Sequence, residues 1–278
     1  MDQRARSWVE GAVGPGARVV RTRRLPGATS SDVRAVDVEV DGVNARRRLV
    51  LRRHTKLDWL EREPDLASRE AVALELLAPA GVPTPELVAV DAEGWGCGEP
   101  AVLMTRLPGT HHWVPPSIER LAEVAHVIHS IDPPQGVRAY RRYSGFREPP
   151  SWATDPARWE RALVIAEEAD PMTAARGFIH RDHHPGNVLW ARGRITGVVD
   201  WIEACVGPIA VDAARCRMNL WRHAGPEAAA RYARCEGVVV DPLWDVVDSV
   251  DAIADGMLPG PDAEALEAFL FAALDELG

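Results

Sequence analysis

Between residues 33 and 40 the side chains alternate with a period of two, Val33, Ala35, Asp37 and Glu39 against Val36, Val38 and Val40, which predicts a half-buried strand. A second strand-like run covers residues 18–24, and the intervening Leu25-Pro26-Gly27-Ala28-Thr29-Ser30-Ser31-Asp32 predicts a turn. Leu49-Val50-Leu51-Arg52-Arg53 predicts a further strand with Val50 and Arg52 on one face, and Ala101-Val102-Leu103-Met104 another, broken by Pro108-Gly109. Elsewhere the period is helical. Leu66, Glu70, Ala73 and Leu77 share a face across residues 65–77, with Pro79 and Gly81 ending the helix, and Ile118, Leu121, Val124, Ala125 and Ile128 share one across 117–131. Residues 188–190 and 195–199 bracket 191–194 as two short strands and a turn. Everything from Arg217 onward reads as helix, with breaks near Gly225, Gly237 and residues 259–261. In it Asp245, Asp248, Asp251 and Asp255 form a stripe opposite Val246, Val250, Ile253 and Met257, the pattern of a solvated helix face.

One residue disturbs the apolar faces. Glu70 lies among Leu66, Ala73 and Leu77, and a buried carboxylate without a partner is costly, so either a cation or backbone donors must reach it.

The chemistry is concentrated in His180-Arg181-Asp182-His183-His184-Pro185-Gly186-Asn187, followed at hairpin distance by Gly197-Val198-Val199-Asp200-Trp201. Transfer of a phosphoryl group from a nucleotide needs a group to orient the acceptor hydroxyl, which suits Asp182 as base. It also needs hard oxygen ligands for Mg2+, which Asn187 and Asp200 can supply. Pro185 and Gly186 let Asp182 and Asn187 turn toward one site, and the hairpin delivers Asp200 beside Asn187.

These residues resemble the aminoglycoside phosphotransferase and choline kinase-like small-molecule kinases, whose loop reads H-G-D-x-H-P-x-N and whose metal aspartate ends an I-D-W-like strand. The resemblance runs from about Leu25 to the C-terminal helices. Arg181 replaces the usual glycine and matches the H-R-D of protein kinases. Protein kinases fit less well, because His184 stands where they carry lysine and the stretch from Asp200 to Asp212 has no room for an activation loop. The resemblance implies an α+β, protein-kinase-like fold of two lobes. Residues 1–107 would be a nucleotide-binding lobe with an antiparallel sheet and a helix, and 108–278 a larger, mainly helical catalytic and acceptor-binding lobe. It places Arg52 at the phosphate-binding lysine position, paired with Glu70, and Asp212 as the carboxylate that braces the catalytic loop. Ser30 and Ser31 would cover phosphates, Val50 would pack on adenine, and Met104, Thr105 and Leu107 would hold adenine through the connector backbone. The co-substrate would be ATP or GTP with Mg2+. The acceptor would be a hydroxyl-bearing small molecule, an antibiotic such as an aminoglycoside in a resistance enzyme. Alternatives are a kinase of choline, an amino alcohol or a sugar, and a catalytically silent nucleotide-binding pseudokinase. For a polycationic acceptor, the aspartate stripe would become a binding wall.

At 278 residues the chain can bury a sizeable core, and its length suits two lobes sharing a cleft. A net charge of -9 argues against a nucleic-acid surface. Lys56 is the only lysine among 32 basic residues, a bias of the kind codon usage produces, and it carries no mechanistic weight. Cys97, Cys205, Cys216 and Cys235 form no C-x-x-C pair and read as reduced thiols of a cytoplasmic protein; the N-terminus opens no apolar leader, and no membrane span is expected. His126 and His129, like His111 and His112, read as packed or hydrogen-bonded histidines before metal ligands. Among ten tryptophans, Trp113, Trp152, Trp159, Trp221 and Trp244 are candidates for an acceptor pocket.

Overall fold

The computed structural model describes every residue except 27–30, 134–135, 144–147 and 256–258, with the backbone alone at Ala254 and Asp255. In chain order the elements are α1 (Gln3–Val13), β1 (Ala17–Arg24), β2 (Ser31–Val40), β3 (Arg47–His54), α2 (Leu57–Arg62), α3 (Leu66–Leu77), β4 (Leu87–Asp91), β5 (Ala101–Thr105), β6 (Thr110–His111), α4 (Ile118–His129) and α5 (Pro156–Glu168). They continue with β7 (Arg176–Ile179), β8 (Val188–Ala191), β9 (Arg194–Val198), β10 (Cys205–Pro208), α6 (Ala210–Ala224), α7 (Pro226–Ala233), α8 (Pro242–Asp251) and α9 (Pro261–Leu277). The class is α+β. Helix starts follow their side chains: Asp2, Ser117, Asp155 and Asp241 each accept a backbone N–H of the first turn, and Pro156 and Pro242 follow two of them.

The chain divides into two compact units, Met1–Pro108 with Thr196–Glu203, and Gly109–Ile195 with Ala204–Gly278. The first contains a five-stranded antiparallel sheet in the order β1-β2-β3-β5-β4. Its register sets Arg52 between Val33 and Val102. Val36, Val38, Leu49, Leu51 and Leu103 are buried on one face with Val9 of α1, so Val50 and Arg52 take the other face, as alternation requires. Helix α3 starts and stops where the helical period does, and it packs on the short 3-10 turn Trp201–Glu203. Helix α1 is absent from the sequence expectations, because Ala5 and Val9 alone mark its buried face.

The second unit is mostly helical. Trp159, Trp244, Met218, Phe269 and Leu270 fill its core. Trp159 and Trp244 are therefore packing residues and not pocket lining, Trp152 stands edge-on to Trp159, and Trp221 packs edge-on to Phe269. Of the five candidates, Trp113 is the one that stays substantially open, at 40% exposure.

The aspartate stripe is the plainest correction. Helix α8 ends at Asp251, so Asp255 falls in a 3-10 turn off the stripe, and Asp245, Asp248 and Asp251 are buried. Each carboxylate meets an arginine from a distant segment: Asp245 with Arg217, Asp248 with Arg215 at 3.1 Å, and Asp251 with Arg181 at 3.3 Å and Arg142 at 3.8 Å. A helix polar on one side is not solvated when another helix presents guanidinium groups to that side, and sequence periodicity does not carry that partner. Burial still dominates, pushing the Asp245 and Asp248 carboxyls up to about 7 against the pull of Arg217 and Arg215.

Candidate active-site residues

In the first unit β3 and α3 bring Arg52 and Glu70 together. Arg52 Nη1 donates to Glu70 Oε1 at 2.7 Å and to Asp200 Oδ1 at 2.8 Å, so one nitrogen serves two carboxylates. Burial pushes the Glu70 carboxyl up to about 7, with Arg52 and the Trp201 backbone pulling it back. Burial works against the charge of Arg52, yet Asp200 and Glu70 raise it further and the side chain stays a cation. Asp200 sits at φ 71, in the left-handed region, and its carboxylate is 35% exposed, open enough for a second ligand. His54, buried nearby, is driven down to about 3 by desolvation and by Arg52, and is neutral.

The remaining first-unit candidates spread along the same sheet. Ser31 begins β2, buried opposite His54, so it is a strand residue rather than a turn tip; Ser30 lies outside the described residues. Val50 pairs with Met104 across β3 and β5, on the strand face of Arg52. The Thr105 and Arg106 N–H groups already donate to the Glu86 and Arg48 carbonyls at 2.9 Å, and Leu107 follows half-buried.

In the second unit β7 pairs antiparallel with β10 and runs directly into the loop of Asp182. Asp212 on α6 accepts the backbone N–H of His180 at 2.9 Å and of Arg181 at 2.7 Å, and meets His129 Nε2 at 2.9 Å. That explains His129 as a hydrogen-bonded residue. Burial pushes the Asp212 carboxyl up, but the hydrogen bond of His129 and the nearby His183 and His180 outweigh it and hold it below its ordinary range. Arg181 stands at φ 67, where glycine costs nothing, and its side chain is fully buried over the rings of Tyr140 and Tyr143 at 4.5 and 4.1 Å. With Asp251 these contacts offset the backbone strain.

Asn187 gives both amide hydrogens to Asp182, Nδ2 lying 2.9 Å from its carbonyl and 2.9 Å from Oδ2, and so keeps its own amide oxygen as an acceptor. His184 Nε2 faces the same Oδ2 at 3.5 Å, and Arg215 Nε faces Oδ1 at 3.7 Å. Burial disfavours ionisation of Asp182, but His184, Arg215 and His180 outweigh it and hold the carboxyl well below the usual range. Arg215 is the residue that sequence reasoning missed; its signal was an arginine three places after Asp212, on the buried face of a helix. No group of three or more His, Cys, Asp or Glu among the described residues is placed to hold a metal ion.

The chain belongs to the phosphotransferase enzyme family, whose model matches residues 22–275. The fold is similar to a thermostable mutant of aminoglycoside phosphotransferase APH(4)-Ia, solved in ternary complex with AMP-PNP and hygromycin B, with a TM-score of 0.67, 20% identity and 98% of each chain covered. It is also similar to macrolide 2'-phosphotransferase MphH from Brachybacterium faecium, with a TM-score of 0.58, 21% identity, and 97% of this chain and 98% of that one covered. At those identities the likeness shows the fold, which is the kinase-like α+β class. A homoserine kinase of Methylobacterium nodulans is 30% identical over 166 residues, 53% of this chain and 51% of the relative. One from Gluconobacter oxydans is 40% identical over 67 residues, 23% of this chain and 21% of the relative. The chain thus spans about half or less of these curated relatives. Among the described residues no helix is long and apolar enough to cross a membrane.

Proposed function

We propose that the protein transfers the gamma-phosphoryl group of ATP or GTP to a hydroxyl of a small molecule. The observation that carries the reading is the orientation of Asn187, which spends its donors on Asp182 and leaves an oxygen for a cation. Asn187 in the second unit and Asp200 in the first each offer an oxygen donor of the kind that fits Mg2+, and the ion when bound would neutralise charge on the phosphates. Asp182, fixed at Oδ2 by Asn187, orients the acceptor hydroxyl and takes its proton. Arg52, held by Glu70, steers phosphate oxygens. Val50, Met104, Thr105 and Leu107 line adenine, with the Thr105 contribution coming from its carbonyl, since its N–H is spent on Glu86. Ser31 opens β2.

For the acceptor, the arginine-paired aspartates of α8 remove the acidic wall a polycation would need. The matches to homoserine kinases favour an amino-alcohol metabolite over an aminoglycoside. The test is incubation with Mg2+, ATP or GTP, and pooled homoserine, choline, aminoglycosides and macrolides, scored by a phosphate mass shift. Asp182→Asn should then lose about a hundred- to ten-thousand-fold in kcat while binding nucleotide normally. Mg2+-dependent nucleotide binding with no phosphorylated product would instead make the chain a nucleotide-binding regulatory module.

A further inference from the structure

We infer that His184 is a positioning residue for the Asp182 carboxylate, and that Trp113, backed by His223, is the clamp that fixes its ring. The kinetic part of this inference rests on the phosphoryl-transfer reading; the structural part does not. His184 Nδ1 accepts the Gly186 backbone N–H at 3.0 Å, which assigns the ring hydrogen to Nε2. Nε2 lies 3.5 Å from Asp182 Oδ2, the oxygen that also takes Asn187 Nδ2. Oδ2 is thereby faced by Asn187 Nδ2 and His184 Nε2, and Oδ1 by Arg215, so the two oxygens are distinguished.

The ring orientation on which this depends is set from outside the loop. Trp113 lies parallel to His184, with an interplanar angle of 5° and centroids 5.3 Å apart, and His223 of α6 packs against Trp113 at 4.3 Å. Gly186 is required by space, because a Cβ there would come within 2.6 Å of Trp113 Cη2 and 2.7 Å of His184 Cε1. Its missing side chain lets indole and imidazole both lie against the loop. An indole left 40% exposed gains less from burial than the core tryptophans do, and its position is accounted for by the ring it holds.

Imidazole nitrogen NMR of the full chain, with the His184 signal assigned from its disappearance in His184→Gln, tests the structural part directly. The expected result is a neutral Nε2–H ring in the wild type and a mixture of tautomers in Trp113→Ala. A wild-type ring protonated on Nδ1, or a Trp113→Ala ring unchanged from wild type, overturns the inference whatever the acceptor. With the acceptor found by the mass-shift screen, Trp113→Ala should lower kcat roughly ten- to a hundredfold with the nucleotide KM unchanged. Trp113→Phe should restore most of that loss, and His184→Gln, whose amide nitrogen reaches the Nε2 position, should exceed His184→Asn, whose amide does not. Equal losses for Gln and Asn, or a loss confined to KM, overturn it, with thermal unfolding of each variant confirming that it folds. Absence of product from the wild type counts against the phosphotransferase reading alone, and the tautomer then decides this one.

Discussion

In the first unit one guanidinium nitrogen, Arg52 Nη1, serves two carboxylates, whereas in the second one carboxylate, Asp212, serves two backbone N–H groups and an imidazole. Glu70 and Asp212 are both almost completely buried, so desolvation pushes both carboxyls upward. Yet Glu70 rises to about 7 and Asp212 falls below its ordinary value. The neighbours decide the sign: at Glu70 burial, reinforced by the Asp200 charge, outweighs Arg52, whereas at Asp212 the hydrogen bond of His129 and the nearby His183 and His180 overcome burial. The first arrangement ties β3 to α3 and to Asp200, and the second fixes the loop at His180 and Arg181.

The largest expected effect comes from removing the well-supplied carboxylate. Asp212→Ala orphans the His180 and Arg181 N–H groups in a buried site and should cost about 2–6 kcal/mol, one to three for each donor. Urea unfolding measures it. A cost near that of an exposed aspartate would show that the loop is held by its side chains, Arg181 above all, and would collapse the contrast between the two carboxylates.

Much of this difference was hidden in the sequence, and for a definable reason. Glu70 was legible because its neighbours Leu66, Ala73 and Leu77 mark a buried face within one helix, and Arg52 because strand alternation turns it away from Leu49 and Leu51. Asp182, Asn187 and Asp200 were legible as residue types at a spacing. Asp245, Asp248 and Asp251 were misread, since the arginines that neutralise them lie far away in the chain, at Arg142, Arg181, Arg215 and Arg217. A short-range period reports which residues share a face, and only the tertiary fold reports what that face meets. Trp113 was grouped with four other tryptophans for the same reason, although it alone stacks on His184.

A pH experiment sharpens the comparison at intermediate cost. The folded pKa of Glu70 is raised from 4.5 to about 7, so folding takes up a proton between those values. The stability from this group is fully present below about pH 4.5 and is lost as pH rises through about 7. Glu70→Gln does not titrate, so its stability relative to wild type should climb between pH 5 and pH 8, by up to roughly 3 kcal/mol. Asp212 has the opposite sign, its contribution being lost only as pH falls into the carboxylate range. A flat difference between Glu70→Gln and wild type across that interval would mean that Arg52 satisfies Glu70 as fully as the three donors satisfy Asp212.

The smallest effect separates backbone strain that is offset from strain that is not. Arg181 and Arg192 both adopt left-handed conformations, φ 67 and φ 51, which cost a side-chain-bearing residue about 1–2 kcal/mol. Arg181 recovers that cost from Asp251, Tyr140 and Tyr143. Arg192 is exposed in the two-residue turn Arg192–Gly193 between β8 and β9, where both φ values are positive and Asn-Gly is the preferred pair. Arg192→Asn should therefore stabilise the protein by about 0.5 kcal/mol, since asparagine enters the left-handed region more readily than arginine. Chemical denaturation in triplicate resolves a shift of that size as a higher midpoint at unchanged slope. A lower midpoint would mean that the Arg192 side chain earns its conformation as Arg181 does, through contacts and not through the turn, and the hairpin that leads to Asp200 would then belong with the tertiary-held loop of the second unit instead of standing on its own backbone.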